Sequence, residues 1–294
     1  MGLEIALGNA WSEVTLVFFT TLAPSAAVAY LIMLIPLAAK GRRREEKDRV
    51  RKQLWIPLVL CMFGLIASAT HLGNPSNALY VLSHIGGSPL SNEVTSAVAF
   101  LACAAAFWLC GFAIKKRKGF DAALGAAIVV LGAVFILAVA FAYNVGTIIT
   151  WSQAAAPVGI VLSAFVAGPI IATFCLAACK SQSTGLRFER GYLLTSAAAS
   201  ALWIGCQAWY GASLGQACNS IFTAMDLVPF YWPCLGIAAT LFAASFVLSG
   251  LKLLQSRRLP SIKRLCISAS CALVAIFIMR FMFYMAHMTV GVAI

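Results

Sequence analysis

AALGAAIVVLGAVFILAVAFAY, residues 122–143, runs for 22 positions without a charge. A run above roughly 18 residues is the length at which a helix crosses a bilayer with every backbone hydrogen bond made inside itself. Seven further runs of the same kind flank it, at about 14–37, 54–70, 94–114, 158–178, 192–214, 230–254 and 265–288. The expected fold is therefore all-α: a polytopic integral membrane protein with eight transmembrane helices in one bundle. Residues 1–294 form a single transmembrane domain, because the loops are too short to hold a soluble one and consecutive helices are antiparallel neighbours.

Composition agrees. The protein of 294 residues is 62% hydrophobic and 10% charged, with a mean hydropathy of +0.93, against roughly half apolar and a quarter charged in soluble domains. Its formal charge of +12 could suggest nucleic acid, but the distribution excludes that partner. Twenty of the 21 Lys and Arg residues lie in alternate loops: eight from Lys40 to Lys52, four in Lys115–Lys118, three at Lys180, Arg187 and Arg190, and five at Lys252, Arg257, Arg258, Lys263 and Arg264. The remaining loops hold none. By the positive-inside rule the basic loops face the cytoplasm and both termini lie outside. Glu4 and Glu13 stand where a signal peptide would carry basic residues, so the first run is a spanning helix. The loop carrying Lys40–Lys52 mixes acids with bases and extends a helix into solvent beside lipid headgroups.

Ten cysteines show no CxxC pair and no spacing for zinc or iron–sulfur, so they read as small packing residues. Cys218 alone falls in an outside loop.

In proteins this apolar, ionisable groups within spans are functional candidates by default. Arg280 is the one basic residue outside the cytoplasmic loops, and Arg280, Tyr284 and His287 follow at i, i+4 and i+7 on one helical face. All three histidines, His71, His84 and His287, map to the outside half. Glu93 opens the third span on that side, where the antiparallel second and third spans let His71 and Glu93 approach each other. Tyr143, Asn144 and Trp151 add groups at the same level. Blander readings accompany each. Glu93 follows Ser91-Asn92, a helix N-cap, and an acid suits a first turn. His71 suits the headgroup level, His84 a solvated loop, and Arg280 a snorkelling role. Tyr143 and Trp151 read first as aromatic-belt residues.

Histidine and glutamate tuned near neutrality pass protons. A quinol requires such acceptors, because its oxidation releases two protons and two electrons; no side chain here carries the electrons. A b-type haem would need two inward histidines, and no second pair exists on the cytoplasmic side. The expectation is no haem and no iron–sulfur cluster in this chain. A haem-carrying cytochrome subunit and a small-molecule transporter or channel are the alternatives. The latter would place its ionisable residues near the bilayer midplane, whereas here only Arg280 lies deep.

The motifs His71-Leu-Gly-Asn-Pro, Leu90-Ser-Asn-Glu-Val94, Tyr143-Asn144 with Thr150-Trp151, Gly168-Pro169, and Arg280 through Phe283-Tyr284 to His287-Met-Thr-Val-Gly291 resemble one family. The sequence is similar, over nearly its whole length, to membrane-anchor subunits of bacterial dimethyl sulfoxide reductase, within the wider group of quinol-interacting anchors of molybdenum enzymes. The resemblance implies oxidation of menaquinol and electron delivery to an iron–sulfur subunit with four clusters, which feeds a molybdopterin catalytic subunit. It also implies that His71 and Glu93 belong to the quinol site, with Tyr143, Asn77, Arg280, Tyr284 and His287 as further candidates. One position departs: the family tends to carry an arginine where this sequence has Asn77, so that charge contact is either lost or supplied by Arg280. Because the polar groups gather opposite the basic loops, the partners are expected on the outer face.

Overall fold

The computed structural model describes residues 2–71, 81, 83–113, 118–179, 186–219, 223–250 and 260–289. Asn77 lies outside the described residues, as does most of the loop that follows His71.

The described residues form eleven helices: α1 (Gly2–Ser12), α2 (Val14–Ala38), α3 (Arg44–Gln53), α4 (Trp55–Thr70), α5 (Pro89–Cys110), α6 (Lys118–Ala142), α7 (Ala155–Ala178), α8 (Leu186–Leu214), α9 (Ala224–Leu227), α10 (Tyr231–Ser249) and α11 (Ile262–Met285). Seven of these segments are both long and apolar enough to cross a membrane, with α3 and α4 counted as one. The expected span at 192–214 falls in α8, which has the length but not the apolarity. Its Ser, Thr, Gly and Gln207 lower its hydropathy, and several of them turn inward.

Two helices occupy the centre. In α2 and α7, 72% of the spanning window is buried, against 28–50% in the other five. Lipid gives apolar helices no hydrophobic reason to associate, so close approach of small residues must hold them. At Gly168 of α7 an added Cβ would stand 2.6 Å from Cβ and Cγ1 of Val28 and 3.0 Å from the Ser25 carbonyl oxygen of α2. The two backbones meet there. Each central helix contains proline, Pro24 and Pro36 in α2 and Pro169 in α7. Hydroxyls bond carbonyls beside them: Ser25 Oγ donates to the Thr21 oxygen at 2.7 Å and Thr173 Oγ1 to the Pro169 oxygen at 2.8 Å. Around this pair α4, α5, α6, α8, α10 and α11 form the outer layer. Phe63, Val130, Phe141, Leu202 and Val247 are among their outward-facing apolar side chains.

The loop expected to extend a helix is helical, as α3. Arg51, near its end, turns inward. Its guanidinium pairs with Asp121 of α6 at 2.7 Å, donates to the Phe107 carbonyl of α5 and lies 4.1 Å over the Phe107 ring. This ties the basic ends of three elements together.

The opposite end holds an element that hydropathy did not reveal. α1 buries Ala6 and Ala10 completely and exposes Ile5, Leu7 and Trp11, and Trp11 meets Phe281 of α11 edge-on at 5.4 Å. It is too short to span, and it runs directly into α2 at Glu13.

Candidate functional site

At the end of the bundle opposite the basic loops, side chains from α2, α5, α8, α10 and α11 enclose a polar cluster centred on Arg280. Arg280 is 4% exposed. Its Nε and Nη2 have no hydrogen-bond partner among the described residues. The phenols of Tyr284, Tyr143 and Tyr210 and the thiol of Cys206 lie around it. Space beside it is kept by Gly159 of α7, where a Cβ would come 3.3 Å from Gln207 Oε1 and 4.0 Å from Arg280 Nη2. The Gly159 carbonyl is held by Trp203 Nε1 at 3.1 Å, and Tyr231 donates to the Gln207 carbonyl at 2.8 Å.

Aromatic rings wall the cluster. Tyr143 stands edge-on to Tyr284 at 5.9 Å, Trp151 edge-on to Tyr284 at 5.5 Å, and Trp151 stacks on Phe283 at 5.1 Å. The segment bearing Trp151 is fastened to the end of α11: Trp151 Nε1 donates to the Phe283 oxygen at 3.1 Å, Thr150 Oγ1 to the Ala286 oxygen at 2.6 Å and the Ile149 N–H to the Met288 oxygen at 3.0 Å. Tyr143 and Trp151 are thus buried in the bundle, and the aromatic-belt reading does not hold for them.

Glu93 is 2% exposed and lies near the Tyr143 and Tyr284 hydroxyls. The capping reading of this residue also fails. α5 begins at Pro89 with Ser88 as its N-cap and no acid in its first turn, so the helix starts earlier than the expected 94 and Glu93 lies in its second turn. Ser88-Pro89 carried the signal, since proline is favoured at the first helical position.

The structure corrects the expected meeting of His71 and Glu93. His71 Nε2 lies 3.2 Å from Glu13 Oε2 instead, with side-chain exposures of 38% and 28%. Glu13, at the α1–α2 junction, is held above the ordinary carboxylate range by burial, partly offset by His71. His287 departs too. α11 ends at Met285, so His287 lies just beyond the helix rather than on its face, its N–H bonded to the Tyr284 oxygen at 3.3 Å. Its half-buried ring sits edge-on to Trp151 at 5.1 Å, and burial lowers its pKa below 6.5. His84 is exposed and bonds Ser83 Oγ at 2.8 Å.

The structure therefore brings together Arg280, Tyr284, Tyr143 and Glu93, sets His287 against the Trp151 wall, and places His71 with Glu13 at the rim. Sequence reading missed Glu13, Thr20, Gln207, Tyr210 and Tyr231 as members. Glu13 could have been found as an acid bordering an apolar run on the histidine side; the others have no signal without the packing. Chemically, a buried cation, several phenols and a carboxylate between aromatic walls suit a flat ring bearing oxygens that must lose protons.

A separate cavity of about 270 Å³ opens between α7, α8 and α10, lined by Ile170, Leu193, Phe242 and Phe246 with Ser196, Ser200 and Ser249. Its hydroxyls are already bonded to carbonyls of Val166, Ser196 and Ser245. It suits an acyl tail rather than a polar head. Among the described residues no group of three or more His, Cys, Asp or Glu is placed to hold a metal ion.

Known proteins match over nearly the full length. A model of the DMSO reductase anchor subunit (DmsC) family matches residues 7–285. The sequence is 29% identical over 291 residues to the C subunit of the anaerobic dimethyl sulfoxide reductase of Escherichia coli (strain K12), with 98% of this protein and 99% of that one covered. It is 28% identical over 288 residues to YnfH, another anaerobic dimethyl sulfoxide reductase subunit of the same organism, with 98% and 99% covered. It is also 28% identical over 283 residues to the C subunit of the anaerobic dimethyl sulfoxide reductase of Haemophilus influenzae (strain ATCC 51907 / DSM 11121 / KW20 / Rd), with 96% and 97% covered.

Proposed function

We propose, from the premise that the protein belongs to the DMSO reductase anchor subunit (DmsC) family, that this membrane anchor oxidises menaquinol in the cluster around Arg280 and Glu93. The electrons go to an iron–sulfur subunit that serves a molybdopterin catalytic subunit. The observation that carries this reading is a buried guanidinium with two nitrogens that have no hydrogen-bond partner among the described residues. A charge held in a bilayer at such cost is kept for a ligand.

In this scheme the quinol ring lies against the aromatic wall. Glu93 accepts the first hydroxyl proton, and the Tyr143 and Tyr284 hydroxyls orient that oxygen. The quinol oxygen gains carbonyl character as two electrons leave, and Arg280 donates to it with nitrogens that have no other acceptor. The iron–sulfur partner docks on the outer face, over the segment carrying Trp151 and the loop carrying Asp226. Docking on the basic face would leave electrons to cross most of a roughly 30 Å hydrocarbon core without a carrier. Protons leave on the same side, so turnover through this subunit builds no membrane potential of its own.

The test uses the assembled complex. Glu93→Gln and His71→Ala should each assemble with the partners yet lose quinol-analogue oxidation at least tenfold, about 1.4 kcal/mol in the barrier. Parental turnover by both assembled variants would exclude the site.

A further inference from the structure

Glu13 joins α1 to α2 and occupies the N-cap position of α2, but its side chain makes no capping hydrogen bond. Its Oε2 is turned away from solvent, within ion-pair distance of His71 Nε2 yet without the alignment of a hydrogen bond. The His71 side chain is 38% exposed, so the pair joins an oxygen shut off from solvent to a ring open to it. Thr20 lies seven residues further along α2, two turns deeper on the same face, a rise of roughly 10 Å. Its hydroxyl donates to the Leu16 carbonyl at 2.8 Å and lies near the Tyr284 hydroxyl, which has no hydrogen-bond partner among the described residues and whose ring borders the Arg280 and Glu93 cluster. The cluster, Thr20 and the Glu13–His71 pair thus follow one helix face outward.

We infer that Glu13 is a proton-transfer residue that, with His71, forms the exit from the buried cluster to the outer aqueous phase. This rests on the quinol reading above. The two quinol protons are taken in turn by the Glu93 carboxylate, the second once Glu93 is again anionic, and each passes outward by way of the Tyr284 and Thr20 hydroxyls and bridging water to Glu13. Glu13 hands it to His71 Nε2, and His71 releases it to solvent. Each carboxylate returns to its anionic form, and the two electrons leave with the iron–sulfur partner. Burial raises the proton affinity of Glu13, which suits it to receive a proton.

The experiment measures quinol-analogue turnover in membranes holding the assembled complex. Glu13→Gln should lower kcat at least tenfold with KM for the analogue unchanged within about twofold, and millimolar imidazole or formate should restore part of the rate. Glu13→Asp, which keeps an acid at the junction, should retain turnover. The double variant Glu13→Gln/His71→Asn should fall no further than the worse single one, because both act in one path. Parental kcat for Glu13→Gln overturns the inference. So does a loss that appears in KM without rescue, or an Asp variant as inactive as the Gln one. An inactive Glu93→Gln beside a fully active Glu13→Gln removes the exit alone, whereas full activity in both removes the quinol site itself.

Discussion

Arg280→Met should move stability and activity in opposite directions. In the free subunit two buried nitrogens of Arg280 have no acceptor among the described residues, and an unsatisfied buried polar group costs roughly 1–3 kcal/mol. The arginine thus lowers the stability of the unliganded bundle by about 2–6 kcal/mol before packing is counted. Methionine keeps most of the side chain's length and apolar contact with Phe283 and brings no charge. Replacement of a buried ionic group by an apolar one of similar volume stabilises by about 1–4 kcal/mol in favourable cases. Thermal unfolding of the detergent-solubilised protein, followed by tryptophan fluorescence, should therefore show a Tm equal to or above the parental value. Quinol-analogue oxidation by the assembled complex should meanwhile fall about a hundredfold, roughly 2.7 kcal/mol in the barrier. If the arginine instead held the fold through a satisfied pair, the same change would cost about 3–5 kcal/mol and the Tm would drop. A lowered Tm, or parental turnover, would refute the reasoning.

Gly168→Ala should destabilise by about 1–3 kcal/mol through overpacking, read as a lowered Tm, because the added methyl meets Val28 and backbone rather than a flexible tip. Asp121→Asn should loosen the basic end by about 1–3 kcal/mol, since Arg51 would keep its Phe107 carbonyl contact but lose its anion; the carboxylate's 24% exposure keeps the loss below that of a dry pair. For His287, burial favours the neutral ring in the folded state, so the folded pKa lies below the unfolded 6.5. Its protonation penalty is absent above 6.5 and grows as pH falls through that value. His287→Gln should accordingly flatten the decline of Tm between about pH 7 and 5.

The all-helical membrane class was legible because apolar run length and backbone hydrogen bonding leave few alternatives. The gathering of polar groups at one end was legible too, since antiparallel helices return alternate loops to the same side. Pairings were not. His71 could be placed at a level but not assigned a partner, because nothing in hydropathy says that the residues before α2 fold into α1 and carry Glu13 to it. The same holds for Gln207, Tyr210 and Tyr231, which lie in or beside long apolar stretches and look like ordinary interfacial or packing residues until α8 and α10 turn them toward Arg280. Tyr143 and Trp151 mislead for the converse reason. Aromatic residues at a span end are usually lipid-facing, and only the bonds between residues 149–151 and the end of α11 fold these two inward.

The most direct test of the quinol site is a structure of the assembled complex with a bound quinol analogue. The analogue's ring should lie against the wall formed by Tyr143, Trp151 and Tyr284, with one oxygen within hydrogen-bonding distance of Glu93 or a tyrosine hydroxyl, Arg280 donating to an oxygen, and the nearest iron–sulfur cluster on that side of the membrane. A head group seated in the cavity lined by Ile170, Ser196 and Phe242, or a nearest cluster beside the basic loops, would contradict it.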